Sequence, residues 1–422
     1  MQTHVGRYGR RMFAGGIGPL ASFPVLILLP IAGAFLLPTR EFAVWAILNS
    51  VATVALATDF GGTAYVAANA NKVRRPWPLV FKGILISSGG SALVCAVCMV
   101  VWIPYSTTDA AGNWSVLEGE SALLVILFAS ILRSVSSVLA ASALARLDYA
   151  SRNILLLGQA VLVVIFTVCL ILLTSSAWAL PLGWLLATGL SLVVVWPKVA
   201  DDLRRDLVGS GRAVTPRIVG SAREFTIKRT VASLIGNVLL QGDRWVIGVA
   251  AGPEFLAAYE LVWRFASAPR LVALSLTAAL VPEAGVAARD SNLRRLVDES
   301  SRIVWGVSAL AAGVACAAIF SLGFIGKVDI AAVSLGLVLV VSLSINGRTA
   351  VTSAIGIGIG WIGVDISYLF ATLVLTILVW GVAVSLGSGV FLVIGESVML
   401  AVMSFVFMFR SERAIVDTET NS

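Results

Sequence analysis

Long apolar runs follow one another along almost the whole chain, and they constrain the fold more than any other feature. We predict spans at 17–37, 42–66, 83–103, 120–144, 154–174, 179–196, 230–251, 255–282, 303–325, 330–350, 363–385 and 390–409. A helix needs about 20 apolar residues to cross the hydrocarbon core, and within lipid only helices and closed barrels satisfy their own backbone hydrogen bonds. The pattern therefore predicts an all-α integral membrane protein with about twelve transmembrane helices and no sizeable soluble domain.

Composition excludes several classes of function. Of the 422 residues, 59% are hydrophobic and 13% are charged, whereas soluble proteins carry about 25% charged residues. The single histidine, His4, lies near the N-terminus, and the four cysteines all lie inside apolar runs. We therefore expect no metal site, no cofactor and no histidine-based catalysis. The same apolar character argues against nucleic acid as the partner of a chain with a net charge of +7.

Basic residues are distributed unevenly between the predicted connections. If the N-terminus is cytoplasmic, the outer connections contain only Arg40 and Lys327 of the 30 lysines and arginines. Four arginines lie within spans, and all the others lie at the termini or in the inner connections. Cytoplasmic connections carry this excess of positive charge. We therefore predict a multi-pass protein of the bacterial cytoplasmic membrane with both termini in the cytoplasm.

The predicted spans divide into two halves of six. We predict an N-terminal lobe over residues 1–200, a cytoplasmic linker or surface helix over residues 201–229 and a C-terminal lobe over residues 230–422. A weak repeat relates the halves, because a proline followed by Glu41-Phe42 precedes the second span and Pro253 followed by Glu254-Phe255 precedes the eighth. Internal repeats are common in secondary transporters, which bind substrate between them.

The most specific motif spans the seventh and eighth helices. It comprises Asn237–Gly248, Gly252–Phe255, Tyr259, Trp263–Phe265, Pro269 and Leu280–Pro282, with a looser match at Thr58–Gly62. The motif resembles that of Wzx-type polysaccharide and O-antigen flippases of the multidrug/oligosaccharidyl-lipid/polysaccharide (MOP) exporter superfamily. The resemblance implies two six-helix lobes around a central cavity. It also implies export of an undecaprenyl-diphosphate-linked oligosaccharide by alternating access, alongside other polysaccharide-assembly proteins.

Arginine, but not lysine, occurs inside the predicted spans. The four positions are Arg133, Arg244, Arg264 and Arg270. Arg133 lies about 20 Å from the outer end of its helix and Arg264 about 14 Å. Charged groups at such depth face a cavity or a partner, and guanidinium groups bind phosphate oxygens in pairs. We predict that these arginines bind the diphosphate and that Trp245 and Trp263 stack on sugar rings.

The alternative for these arginines is charge pairing. Asp59, Asp243 and Glu260 are carboxylates within or at the ends of spans, and they are candidates either for H⁺ or Na⁺ coupling or for ion pairs. Glu260 and Arg264 are spaced i, i+4 on one helix face. Asp243 is a second candidate partner of Arg264, and Asp59 is a candidate partner of Arg133 or Arg146.

Two other functions remain open at this point. A cation-coupled multidrug-type exporter would share the architecture but would use acidic residues for cationic drugs, whereas arginine predominates in these spans. A membrane-embedded polysaccharide-assembly enzyme would need a long external loop, and the predicted external connections are short. We therefore do not expect an enzyme. The expected partners are the lipid-linked oligosaccharide and the surrounding membrane lipids.

Overall fold

Thirteen helices make up the part of the chain that the computed structural model describes. Described are residues 23–57, 60–63, 66, 77–108, 114–145, 149–208, 219–277, 280, 284, 287, 293–359 and 362–420. The helices are α1 (Phe23–Leu36), α2 (Thr39–Ala57), α3 (Trp77–Tyr105), α4 (Val116–Ala145), α5 (Tyr149–Thr174), α6 (Ala179–Val208), α7 (Val219–Gln241), α8 (Asp243–Ala266), α9 (Ala268–Thr277), α10 (Leu293–Phe324), α11 (Ile330–Gly358), α12 (Ile362–Leu386) and α13 (Gly389–Thr420).

Many of these helices carry apolar side chains on their outer surfaces as well as in their contacts with neighbours. Phe324, Ile330 and Leu173 are 94%, 85% and 80% exposed. Eight helical segments of the described residues are long and apolar enough to cross a membrane. Water would penalise this much exposed apolar surface, whereas lipid solvates it. All twelve predicted spans coincide with helix in the described part of the chain.

The predicted spans and the helices differ where polar sequence extends a helix or glycine interrupts one. Helix α6 continues to Val208, beyond the predicted end of the sixth span. The predicted seventh span is interrupted at Gly242, between α7 and α8. Gly252, between the predicted seventh and eighth spans, has φ 81° and kinks α8 just before Pro253. Proline removes a helical hydrogen bond, and glycine accepts the positive φ at low cost.

In the C-terminal part, helices α10 and α12 end in the same way, and each begins a helical hairpin. Gly326 follows α10 with φ 71°, and Gly387 follows α12 with φ 59°. The amide of Lys327 bonds the carbonyl of Leu322 at 3.0 Å, and that of Ser388 bonds Ala383 at 3.1 Å. This left-handed glycine with a six-to-one hydrogen bond is the Schellman ending of a helix. It reverses the chain within a few residues and makes α10–α11 and α12–α13 antiparallel pairs.

The chain forms two compact units, Pro24–Ala257 and a second that contains Ala258–Ser422. In the first, α3 packs on α4, α4 and α5 pack on α6, and α2 packs on α3, α4 and α7. In the second, α11 packs on α9, α10 and α13, and α12 packs on α13. Helix α7 and the first part of α8 thus belong to the N-terminal unit. The lobe boundaries at residues 200 and 230 stay a prediction.

Glu41 joins three segments at one end of the N-terminal unit. Its carboxylate accepts hydrogen bonds from the Trp114 indole at 3.1 Å, the Ser176 hydroxyl at 3.3 Å and the Ala177 amide at 2.8 Å. These groups precede α4 and α6, so the carboxylate holds the start of α2 against both. Glu254, the corresponding residue of the sequence repeat, is exposed. The repeat therefore does not extend to the environment of its glutamates.

Candidate functional site: four membrane arginines

Arg244 is paired with the aspartate that precedes it. Its Nη1 lies 2.8 Å from Asp243 Oδ1, and both side chains are almost fully buried. Arg244 Nη1 also donates to the Leu240 carbonyl at 2.7 Å, and its backbone amide donates to Asp243 Oδ1 at 2.9 Å. These contacts lie at the junction of α7 and α8. They neutralise the guanidinium charge and satisfy helix-end backbone groups at the same time.

Arg264 is paired with Glu260 one turn earlier in α8. Its Nε donates to Glu260 Oε1 at 2.7 Å, and its Nη2 contacts the same oxygen. The glutamate is 0% exposed and the arginine 3% exposed. The guanidinium also lies 5.3 Å from the Trp263 ring centroid. This is the i, i+4 arrangement whose spacing is visible in the sequence.

Arg133 in α4 has a neutral partner. Its Nη1 donates to Gln159 Oε1 in α5. Gln159 is 1% exposed, and its Nε2 has no hydrogen-bond partner in the described part of the chain. Because Oε1 accepts from the guanidinium, the amide NH₂ group is the free end. Arg133 and Gln159 together therefore present N–H donors, with a positive charge that no described carboxylate neutralises.

Arg270 in α9 likewise has a neutral partner. Its Nε donates to Asn346 Oδ1 in α11 at 2.7 Å. Asn346 Nδ2 in turn contacts Ser404 Oγ in α13 at 3.0 Å and the Tyr368 hydroxyl in α12 at 3.3 Å. Arg270 forms no ion pair with any described residue. Each compact unit therefore contains one membrane arginine that is bound to a side-chain amide and one that is bound to a carboxylate.

The two candidate tryptophans differ in their surroundings. Trp245 is half-buried; its indole donates to Ser50 Oγ at 3.1 Å, and its ring makes edge contacts with Trp102 and Tyr105 at 6.3 and 4.9 Å between centroids. Trp263 is 7% exposed. Trp245 thus belongs to an aromatic cluster of the N-terminal unit. Stacking of either ring on a sugar stays a prediction.

The carboxylates predicted for coupling fall into two groups. Asp243 and Glu260 are held by Arg244 and Arg264. Asp59 lies outside the described residues. No group of three or more potential metal ligands occurs among the described residues.

Several polar residues that complete these sites were not predicted from the sequence. They are Gln159, Asn346, Tyr368 and Ser404. A further membrane carboxylate, Glu396, was not predicted either; it accepts a hydrogen bond from the Trp380 indole. Each is a strong hydrogen-bonding side chain within an apolar run, and that signal is present in the sequence. Their partners lie on other helices, which the sequence alone does not reveal.

No protein-family model matches the sequence, and no curated protein matches it either. Solved structures of similar fold do exist. A mutant of the Vibrio cholerae MATE transporter VcmN superposes with a TM-score of 0.69 and 16% identity over 99% of both chains. An inward-facing multidrug resistance MATE family transporter of the MOP superfamily gives a TM-score of 0.67 and 15% identity over 98% of this chain and 99% of that one.

A third structure of similar fold is a MOP superfamily transporter from Pyrococcus furiosus. Its TM-score is 0.66, with 15% identity over 99% of both chains, and it is described as having a binding pocket of reverse polarity that suggests a different function. The prediction of an all-α membrane protein with about twelve helices in two lobes is confirmed by these likenesses. The chain has the fold of the MATE transporters of the MOP superfamily.

Proposed function

We propose that this chain is a MOP-type exporter that moves an undecaprenyl-diphosphate-linked oligosaccharide across the bacterial cytoplasmic membrane by alternating access. The similarity extends over almost the full length of both chains, and structures of this fold include inward-facing and outward-facing conformations. A fold that is found in both conformations supports transport rather than catalysis. The proposal therefore includes no enzymatic activity.

The pairing of the membrane arginines carries the choice of substrate. Asp243 and Glu260 neutralise Arg244 and Arg264, whereas Arg133 and Arg270 contact only amide oxygens among the described residues. A guanidinium in a membrane needs an anion or water as compensation. Arg133 and Arg270 each carry a positive charge that forms no ion pair with a described residue, and an anionic substrate supplies a partner for that charge.

A lipid diphosphate fits this requirement better than a simple small anion. Its two phosphate groups carry several oxygens that accept pairs of N–H donors from guanidinium groups. The half-buried Trp245 supports binding of the attached sugar, because an aromatic ring provides an apolar face with a polar edge. The sequence motif around Asn237–Gly248 resembles that of Wzx-type flippases, which export such glycolipids.

A cation-coupled multidrug-type exporter is the second candidate. Two of the similar structures are described as multidrug resistance MATE family transporters, and Asp243 and Glu260 are buried carboxylates. In this alternative the carboxylates release Arg244 and Arg264 and bind a cationic drug, H⁺ or Na⁺. That release would leave two further arginines uncompensated beside a cation, which is electrostatically unfavourable. The Pyrococcus transporter is an example of a protein of this fold that is described as having a binding pocket of reverse polarity and a different function.

The proposed orientation places both termini in the cytoplasm. Arg348 of α11 contacts Glu412 of α13 at 3.4 Å and lies 5.4 Å from the Trp305 ring centroid of α10. A cluster of an arginine, a tryptophan and a glutamate from three helices is typical of a membrane interface. The charge pattern assigns this level to the cytoplasmic side. Labelling of a cysteine introduced at position 412 by an impermeant reagent, only after the membrane is opened, would support this orientation.

The function is tested by depleting the protein and measuring on which leaflet lipid-linked oligosaccharide accumulates. We expect complete oligosaccharide to accumulate on the cytoplasmic leaflet. Normal sidedness with incomplete glycan would instead indicate an assembly enzyme. Unchanged glycan would refute the flippase and favour the multidrug-type exporter.

A further inference from the structure

Four polar side chains from four different helices meet inside the C-terminal unit. They are Arg270 of α9, Asn346 of α11, Tyr368 of α12 and Ser404 of α13. The Tyr368 ring packs on Phe407, with 4.6 Å between ring centroids. The group is thus a polar cluster among apolar residues, where a polar group without a correctly oriented hydrogen bond lowers the stability of the fold.

The hydrogen bonds fix the orientation of the Asn346 amide. Ser404 donates its own proton to the Leu400 carbonyl at 2.6 Å, so its oxygen acts as an acceptor for Asn346 Nδ2. The Tyr368 oxygen is 3.3 Å from Asn346 Nδ2 and 3.4 Å from Ser404 Oγ. It therefore accepts from the amide and donates to the serine. With both amide protons engaged on this side, Oδ1 has to face Arg270.

Among the described residues, this hydrogen-bond pattern leaves one kind of group in the cluster without a partner, namely the terminal N–H donors of Arg270. Asn346 Oδ1 is occupied by Arg270 Nε, and the hydroxyl and amide protons of the cluster all have acceptors. The two terminal nitrogens of a guanidinium carry four further N–H groups, and no described residue accepts a hydrogen bond from those of Arg270. The cluster therefore has spare donors and a positive charge, and it lacks an acceptor.

Close packing sets the distance between Arg270 and its support. Gly347, next to Asn346, faces α9 so closely that an added methyl carbon would lie 3.1 Å from Arg270 Cα and 3.2 Å from Ala273 Cβ. A larger residue would push α9 and α11 apart. The glycine thus allows α9 and α11 to pack closely beside the hydrogen bond between Arg270 Nε and Asn346 Oδ1.

We propose that Asn346, Tyr368 and Ser404 are positioning residues that hold Arg270 ready to bind a phosphate-class anion within the C-terminal unit. Anchoring through Nε leaves the Nη edge for two parallel hydrogen bonds to phosphate oxygens. The natural anion is the diphosphate of the lipid-linked substrate, and in that respect the inference rests on the proposed function. The anion site itself is built entirely from residues of this unit.

Binding of inorganic pyrophosphate to the purified full-length chain tests this inference. All calorimetric titrations use an Arg133→Gln background. This substitution removes the amide-bound arginine of the N-terminal unit, so that the heat of binding reports pyrophosphate binding to the C-terminal unit. Asn346→Asp keeps the shape of the side chain but places a carboxylate on Arg270 and cancels its charge. We expect the Kd for pyrophosphate to rise more than about tenfold, the effect of losing a charged hydrogen bond. Tyr368→Phe removes one neutral hydrogen bond and should raise the Kd about 2- to 12-fold.

Arg348→Gln is the matched control, because it removes an arginine of the same unit from outside the cluster. Its Kd should equal that of the background chain. Arg270→Gln provides a second test if Asn346→Asp unfolds, and it should weaken binding as strongly as we expect of Asn346→Asp. A purely structural role for Asn346 would lower the melting temperature of its variants without this ordering of Kd values.

The inference is overturned if the background chain does not bind pyrophosphate, if Arg270→Gln binds as the background does, or if Arg348→Gln weakens binding equally. These outcomes are distinct from failure of the proposed function. Normal glycolipid sidedness after depletion, with pyrophosphate binding still lost in Asn346→Asp, would retain the anion site and reject the flippase. Changed sidedness with full binding in Asn346→Asp would retain the flippase and reject the positioning role.

Discussion

Replacing Gln159 by glutamate tests the role of uncompensated positive charge in the N-terminal unit. Gln159 is 1% exposed, and its Oε1 is the described partner of Arg133. Glutamate has almost the same shape as glutamine, and the adjacent guanidinium keeps the new carboxylate ionised. The substitution therefore changes the charge that faces the substrate while keeping the local packing.

The expected magnitude follows from the contact that is lost. A hydrogen bond to a charged group contributes about 1.5–3 kcal/mol, and about 1.4 kcal/mol corresponds to a factor of ten. If Arg133 contacts a phosphate during transport, Gln159→Glu should slow export about 10- to 150-fold. Like-charge repulsion between the new carboxylate and the phosphate acts in the same direction.

The assay measures the rate at which lipid-linked oligosaccharide reaches the outer leaflet in depleted cells that express each variant at equal level. Gln159→Met is the control, because it fills similar volume and leaves the charge of Arg133 in place. We expect methionine to retain most of the export rate and glutamate to lose it. Wild-type export by Gln159→Glu, or equal loss in both variants, would refute the electrostatic reasoning.

Three further predictions concern stability, each measured as thermal unfolding of the purified protein. Glu260→Gln leaves Arg264 buried without its carboxylate and should cost about 3–5 kcal/mol; adding Arg264→Met should recover part of the loss, and no recovery would refute the pairing. Gly347→Ala should cost about 1–3 kcal/mol through overpacking, whereas Gly381→Ala, with open space around it, should be neutral or stabilising; equal effects would contradict the packing. Glu41→Ala removes the acceptor of three hydrogen bonds and should cost about 1–3 kcal/mol; an unchanged melting temperature would show that these bonds contribute little.

The helices were largely predictable because hydropathy and helix length act locally. The kink at Gly252 coincides with a predicted boundary, since a glycine with positive φ followed by proline is a local signal. The end of α6 at Val208 was not predictable from hydropathy. Its last turns are polar, and a helix that continues beyond the membrane has no apolar signature.

The candidate site was predictable only in part. The Glu260–Arg264 contact follows the i, i+4 rule of a single helix, and the neighbours Asp243 and Arg244 are adjacent in sequence. Nothing in the sequence indicates that Arg133 meets Gln159, because that contact joins two helices whose rotation and register depend on packing. The distinction between charge-paired and amide-bound arginines therefore emerges only from the structure.

Transport by the purified protein in liposomes tests the central claim most directly. The protein is reconstituted with undecaprenyl-diphosphate-linked oligosaccharide, and an impermeant glycan-modifying reagent reports how much glycolipid reaches the opposite leaflet. We predict transfer by the wild-type chain and little transfer when Arg133 and Arg270 are both replaced by glutamine. Equal transfer by both chains would contradict the role of the arginines. No glycolipid transfer, together with export of a cationic dye, would contradict the proposed function itself.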